Sequence, residues 1–321
     1  MKDPLIGILM ATYNGEKFIS QQIQSILNQT YKNWKLIIHD DGSNDSTINI
    51  IKKFVKNNPY KIFFVEDRIK CGGAKENFAH LMQIAKEGFN FDYIMFSDQD
   101  DVWFPKKVEI SLKKMQELET KWGKNIPLLV YTDLEVVNEN LKRICSSFWK
   151  YQRLNPSRNA LNYLLIQNVI TGCTTLINMK TLEISLPIPK QAIMHDWWIA
   201  LVVSAFGKMD FISTPTVFYR QHNMQEIGAK KWNIIEVGKK LIRLKVVELN
   251  TKILNTVLQA ETFLETYQHI LDAQKRELLI TYSKILTFSF LSKIYFILEY
   301  KFFKHGFLRN IGFLFFILLS K

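Results

Sequence analysis

Between Leu5 and Thr132 short apolar runs alternate with amphipathic stretches, and this alternation constrains the chain more than any other feature. It is the pattern of strands buried on both faces of a parallel sheet, with helices wrapped around them. Strands are expected at 5–11, 35–39, 60–65, 93–97 and 128–132, and helices at 16–28, 46–57, 74–86 and 105–121. Pro105 suits a first helical turn, where a missing N–H does no harm, and Asp45-Ser46-Thr47 offers capping side chains. Three of the strands run directly into polar clusters: Thr12-Tyr13-Asn14, Asp40 through Asp45, and Asp98-Gln99-Asp100-Asp101. In open α/β sheets ligands bind outside the carboxyl ends of strands, so the three clusters are expected to line one crevice. Each one alone also reads as ordinary turn chemistry.

Beyond Thr132 the pattern loosens. An apolar stretch at 169–177, a helix at 196–206 and short strands at 209–212 and 216–219 are expected, and after Gly228 only helices. A length of 321 residues allows one large domain and an appendage. The expected division is 1–227, with a nucleotide-binding half to about 135 and an acceptor half after it, and a helical region at 228–321. Net charge is +12, and the stretches 228–250 and 275–321 carry +4 and +6 of it, which implies a local anionic partner for the last third. Cys71, Cys145 and Cys173 form no paired motif, and the N-terminus carries no secretory pattern, so reduced thiols in the cytoplasm are expected.

Asp98, Asp100 and Asp101 repel one another, a cost that a divalent cation such as Mg²⁺ offsets while neutralising a diphosphate; an acidic cap on the helix at Pro105 is the alternative. In His195-Asp196-Trp197-Trp198, an acid beside two aromatics suits a base for a hydroxyl proton or a plain helix cap. In Tyr219-Arg220-Gln221-His222, Arg220 suits a phosphate and His222 a metal, against a surface loop with incidental charges.

Ala11 to Gly15, Asp40-Asp41-Gly42-Ser43 and Ser97 to Trp103, in that order and spacing, resemble the family 2 inverting glycosyltransferases of GT-A fold. Cys71-Gly72-Gly73 leading to Asn77-Phe78, Thr171-Gly172-Cys173, His195 to Trp198 and Tyr219 to His222 resemble the bacterial rhamnosyltransferase-like branch. The resemblance implies a Rossmann-like, mostly parallel sheet flanked by helices, and a helical C-terminal extension. It implies that Thr12, Tyr13, Asn14, Glu16, Asp41, Gly73, Asn77 and Asp98 surround the nucleotide, with Asp41 on the base. Asp100 and His222 would hold Mg²⁺ or Mn²⁺, with Asp101 an open alternative to Asp100. Gly172, Cys173, Trp197 and Arg220 would serve the acceptor or diphosphate, and Asp196 would be the catalytic base. The implied reaction is transfer of a sugar, rhamnose from its dTDP donor or a UDP-linked hexose, to a saccharide or polyprenyl-linked acceptor in cell-surface polysaccharide synthesis. A non-catalytic sugar-nucleotide scaffold is the rival.

In the last third, Leu241, Leu244 and Val247 interleave with Lys239, Lys240 and Arg243 as a basic amphipathic helix. The apolar runs 285–298 and 311–319 fall short of the ~20 residues needed to span a bilayer. Lys301, Lys304, His305 and Arg309, mixed with Phe302, Phe303 and Phe307, suggest an anchor on an anionic inner leaflet; a homodimer interface or helices packed onto the catalytic domain are the alternatives. Nucleic acid is not expected as a partner, because the acidic clusters would repel its phosphates.

Overall fold

A computed structural model describes residues 3–67, 69–222 and 245–319. Its centre is a mixed sheet in the order β3-β2-β1-β4-β8-β6-β9-β5, with β7 pairing β6. The first strands are β1 (Ile6–Thr12), β2 (Trp34–Asp40), β3 (Ile62–Val65) and β4 (Tyr93–Ser97), all mutually parallel. Their connections are α1 (Ile19–Leu27), α2 (Thr47–Asn57) and α3 (Ala74–Gly88). Both faces of these strands are covered, so Ile6, Ile8, Leu9, Met10, Leu36, Ile37 and Ile38 are all buried. β1 lies between β2 and β4, and the chain leaves it one way and returns the other, which opens a crevice at its carboxyl end.

Past β4 the sheet departs from the parallel pattern. β5 (Val102–Trp103), α4 (Lys107–Trp122), β6 (Leu128–Asn138) and β7 (Arg143–Cys145) follow, then β8 (Leu176–Asn178), α7 (Met179–Ser185) and β9 (Lys208–Gln221). β8 runs antiparallel to β4 and β6, while β9 runs parallel to β6 and antiparallel to β5. β6 outlasts the expected 128–132 because its acids are satisfied inside the fold. Asp133 accepts from the backbone of Leu134 and Phe148, and Glu135 takes a two-pronged contact from Arg143 at 2.6 and 3.0 Å. The two strands expected at 209–212 and 216–219 are one, since Pro215 falls at a register shift where its missing N–H costs no ladder bond. Gly207, just before β9, passes so close to Pro127 that a Cβ would lie 1.8 Å from its carbonyl oxygen.

At the start of α2 it is Asp45 of the Asp45-Ser46-Thr47 group whose side chain serves, its Oδ1 accepting the Thr47 N–H at 2.9 Å. α4 begins at Lys107, two residues after Pro105, with no side-chain cap.

The chain packs as two compact units: Met1–Phe148 with Ile170–Ile188 and Gly207–Ala229, and Trp149–Val169 with Pro189–Phe206 and Lys230–Lys321. The stretches 149–169 and 189–206 thus pack with the C-terminal helices, although they precede Gly228. The second unit contains α6 (Leu161–Leu164), α8 (His195–Phe206), α9 (Lys245–Tyr267), α10 (Ala273–Ser283), α11 (Phe290–Glu299) and α12 (Phe307–Leu319); α5 (Phe148–Gln152) starts at the border. α8 is apolar around its circumference and buried for most of its length, with Trp198 and Phe206 packed on Phe263 and Tyr267. Among the described residues no helix is long and apolar enough to cross a membrane. The basic helix expected around Leu241 to Val247 lies outside the described residues and side chains.

The anchor read at 301–309 is corrected in part. Of its four basic residues only Lys301 is exposed. His305 is buried and accepts the Asn155 N–H on Nδ1 at 3.0 Å, Arg309 donates to the carbonyls of Gln152 and His305, and the Lys304 ammonium lies 5.5 Å from the Phe313 ring. Their polar atoms close the packing of the second unit.

Candidate active site

The parallel registers bring the three polar clusters to one edge. Thr12 at the end of β1 is level with Asp40 at the end of β2, and Met10 is level with Ser97 at the end of β4. The loops leaving these strands are tied to each other by side chains. Gln99 clamps the backbone of Tyr13, accepting its N–H at 2.9 Å and donating to its carbonyl at 2.8 Å. Asn14, in the left-handed conformation that Asn tolerates, donates its N–H to Ser43 Oγ and accepts the Asn44 N–H. Glu16 exchanges bonds with the next loop, its N–H to Asp45 and its carboxylate to the Ser46 N–H. A Cβ on Gly15 would meet Gln99 Oε1 at 2.2 Å, so a larger residue there would push the Gln99 side chain off its clamp on Tyr13. Tyr13 remains 55 % exposed, the open wall of the group.

The paired acids after β2 divide the work. Asp40 is buried and accepts from Thr12 Oγ1, Ser43 Oγ and the N–H groups of Gly42 and Ser43, which makes it the turn's internal support. Asp41 points the other way and accepts the successive N–H groups of Cys71, Gly72 and Gly73, gathering the loop before α3. Two residues expected to surround the nucleotide lie inside the fold. Thr12 and Asn77 are each 2 % exposed, and the Asn77 amide is spent on the carbonyls of Thr12 and His39 and on the His39 ring. They brace the strand ends from inside.

The acids after β4 also separate by burial. Asp98 and Asp100 are half-buried, and Asp100 Oδ2 meets His222 Nε2 at 2.7 Å, with the His222 ring 4.8 Å from Phe18. Asp101 is fully buried, accepts the Arg220 N–H at 3.3 Å and lies against the Cys173 thiol. Burial, and then the charges of Asp100 and Asp98, push its carboxyl well above the usual range. Asp101 therefore supplies no acidic cap to α4. Asp98, Asp101 and Cys173 have donor atoms within 4.8 Å of one another, and burial likewise raises the Cys173 thiol. Lys107, at the start of α4, is buried beside them over the Trp103 ring, its ammonium lowered to about 8 by burial. Gly172 and Cys173, in a buried turn before β8, form the floor and present no side chain outward.

Arg220, expected to serve the acceptor or diphosphate, is also engaged within the fold. Its guanidinium is 1 % exposed, donates to the carbonyls of Asp100 and Glu139 and to Gln21 Oε1, and covers the Phe18 ring at 4.5 Å. All three nitrogens are used within the protein, so Arg220 holds the acidic loop in place. Gln99, Lys107 and Gln21 were not singled out from the sequence. Gln99 lay in view inside its motif, whereas Lys107 and Gln21 are unremarkable helix residues until folding buries the first and brings Arg220 to the second.

In the second unit Asp196 sits in the first turn of α8, half-buried, and accepts from Asn168 Nδ2 at 3.3 Å. Trp197 is fastened by its indole N–H to the Leu164 carbonyl at 2.6 Å. His195 is fully buried and held neutral, its pKa lowered to about 3 by burial. A neutral folded imidazole against an unfolded one titrating near 6.5 contributes stability that is complete above pH 6.5 and lost as the pH falls toward 3. At pH 5 the loss is about 2 kcal/mol. His195→Phe is expected to flatten the pH dependence of urea midpoints between pH 6.5 and 4; an unchanged slope would remove His195 from the account.

A glycosyl transferase family 2 model matches residues 7–177, which takes in β1 through β8, and the chain belongs to that family. It is a glycosyltransferase of GT-A fold. It is 31% identical over 233 residues to a dTDP-rhamnosyl transferase, RfbG, of Shigella flexneri, covering 68% of this chain and 74% of that one. It is 30% identical over 182 residues to WfgD of Escherichia coli, a UDP-Glc:alpha-D-GlcNAc-diphosphoundecaprenol beta-1,3-glucosyltransferase, covering 57% of this chain and 63% of the relative. Among solved structures, S. aureus TarS 1-349 in complex with UDP superimposes with a TM-score of 0.56 at 12% identity, over 88% of this chain and 72% of TarS. The mannosyltransferase PcManGT of Pyrobaculum calidifontis, in complex with GDP-Man and Mn2+, does so with 0.51 at 13% identity, over 99% and 86%.

Proposed function

We propose that this glycosyltransferase moves rhamnose from a dTDP-linked donor to a saccharide or polyprenyl-linked hydroxyl with inversion, assisted by Mg²⁺ or Mn²⁺. The observation that carries the reading is the convergence of the loops after β1, β2 and β4 around Asp98 and the Asp100–His222 pair. Rhamnose is favoured by the likeness to RfbG, and the likeness to WfgD supports a UDP-hexose as the second choice. The donor set fits a divalent ion: a half-buried carboxylate, Asp100, with an imidazole on it and the second half-buried carboxylate of Asp98 on the same loop. Asp100 and His222 would hold the ion, Asp100 in preference to Asp101, whose oxygens are buried. When bound, such an ion neutralises charge growing on the departing diphosphate.

The chain's own residues do the rest. Tyr13, Asn14 and Glu16 line the opening for the nucleotide, with Asp41 beside the base and Asp98 beside the ribose. Asp196 takes the proton of the acceptor hydroxyl as that oxygen bonds to the anomeric carbon; the carbon–oxygen bond to the diphosphate breaks, and the diphosphate leaves with the electron pair. Trp197 would shape the acceptor side. We place the enzyme in the cytoplasm, peripheral to the membrane. Phe290, Leu291, Tyr295 and Leu298 on α11, with Phe307 and Phe315 on α12, are more than half exposed and support that placement.

The test is diphosphate release from a panel of sugar nucleotides with Mn²⁺ or Mg²⁺, then with chelator. Turnover of dTDP-rhamnose that chelator abolishes is expected. A folded protein that releases nothing in a metal-dependent way, with lipid acceptor and detergent present, would overturn the proposal in favour of a non-catalytic sugar-nucleotide scaffold.

A further inference from the structure

We propose that His39, Asp67 and His80 form a second cation site, for a late first-row divalent ion of the zinc class. It is made of different side chains from the Asp98, Asp100 and His222 group. His39 is the penultimate residue of β2, 1 % exposed, Asp67 lies just beyond β3, and His80 is on α3. His39 Nε2 is 3.2 Å from Asp67 Oδ1, His80 Nε2 is 2.5 Å from Asp67 Oδ2, and the two rings lie edge to face at 4.8 Å.

The tautomer of His39 gives the cluster its meaning. The Asn77 amide nitrogen faces two carbonyls, Thr12 O at 3.5 Å and His39 O at 3.3 Å, so its oxygen is turned to His39 Nδ1 at 2.8 Å. That oxygen can only accept, so Nδ1 carries the proton. Nε2 is then the ring nitrogen turned to the Asp67 carboxylate, with the His80 ring on the other carboxylate oxygen. A metal ion there would take Nε2 of both rings and a carboxylate oxygen as ligands. The second partner on Nδ1 is the arrangement that orients metal-binding imidazoles, and the Ile69 N–H on Asp67 Oδ1 at 3.0 Å does the same for the carboxylate.

Size and chemistry agree. An ion with bonds of about 2.0–2.2 Å separates tetrahedral ligands by roughly 3.3 Å. His39 Nε2 and Asp67 Oδ1, 3.2 Å apart, already have that spacing, the His80–Asp67 pair at 2.5 Å would open to reach it, and all three donor atoms lie within 4.8 Å of one another. Two imidazoles and one carboxylate suit zinc-class ions, whereas Mg²⁺ prefers oxygen alone. A bound ion would fasten the segment after β3 to the end of β2, a few residues before the N–H groups of Cys71 to Gly73 that Asp41 gathers.

The experiment uses untagged full-length protein, stripped with chelator and dialysed against Zn²⁺ without nucleotide, in an Asp100→Ala background that disables the other group. About one equivalent of zinc per chain should remain, and Co²⁺ should give the visible absorption of a tetrahedral site. His80→Ala, at a partly exposed helix position, should abolish both while circular dichroism stays unchanged; Asp67→Ala should do the same if His80→Ala unfolds. Zinc retained equally after these substitutions, or none held by the folded parent at micromolar Zn²⁺, overturns the proposal and leaves a proton-sharing His–Asp–His cluster. No donor or acceptor enters the assay, so its outcome is independent of the proposed sugar transfer.

Discussion

Asp196→Asn is expected to lower the turnover number for sugar transfer by roughly 10²- to 10⁴-fold, the usual contribution of a positioned general base. The amide keeps an oxygen to accept from Asn168 Nδ2, so α8 should start as before and the thermal midpoint should barely move. Donor affinity should also be preserved, because the residue is assigned to the acceptor's proton and not to the nucleotide. The decisive measurement is steady-state transfer, with donor binding measured separately by calorimetry. A large fall in turnover with unchanged donor affinity fits a base; a fall confined to acceptor KM would recast Asp196 as a binding residue.

The second large effect concerns stability. Arg220→Met should cost about 3–5 kcal/mol, because it removes a buried charge that donates to three acceptors and leaves the carbonyls of Asp100 and Glu139 and the amide oxygen of Gln21 without those donors. Arg220→Lys should recover little of this. One ammonium cannot reproduce a planar fork spread over three acceptors and a ring face. Urea titration measures the loss. A cost under about 1 kcal/mol would mean that Arg220 is free for a ligand after all, which is the role its motif first suggested.

Much of the catalytic unit was legible because its signals are local. Apolar runs of strand length in β1, β2 and β4, each followed by acids, amides or glycine, indicate both the parallel sheet and the edge where chemistry belongs. The family resemblance rested on those same residues. What the sequence misjudged shares one cause. β6 reads as ending at Thr132 because Asp133 and Glu135 look like surface residues, yet Asp133 accepts the Phe148 N–H at the start of α5 and Glu135 meets Arg143 across the β6–β7 pair. Arg220, Asn77 and Thr12 carry groups that suit a nucleotide diphosphate equally well, and only burial shows that those groups are already occupied.

The sequence by itself determined the class of fold, the order of the polar loops and the kinds of groups they bring, since hydrophobic period and turn chemistry are written in neighbouring residues. Only the tertiary structure decided which of several chemically equivalent side chains remain open. Asp100 stands at the rim on His222 while Asp101, one residue later, is sealed beneath it with Cys173 and Lys107. The physical reason is that desolvation and pairing depend on what the rest of the chain lays over a residue. The segments that cover these, from β8 and β9, lie far away in sequence and carry no local mark of where they will pack.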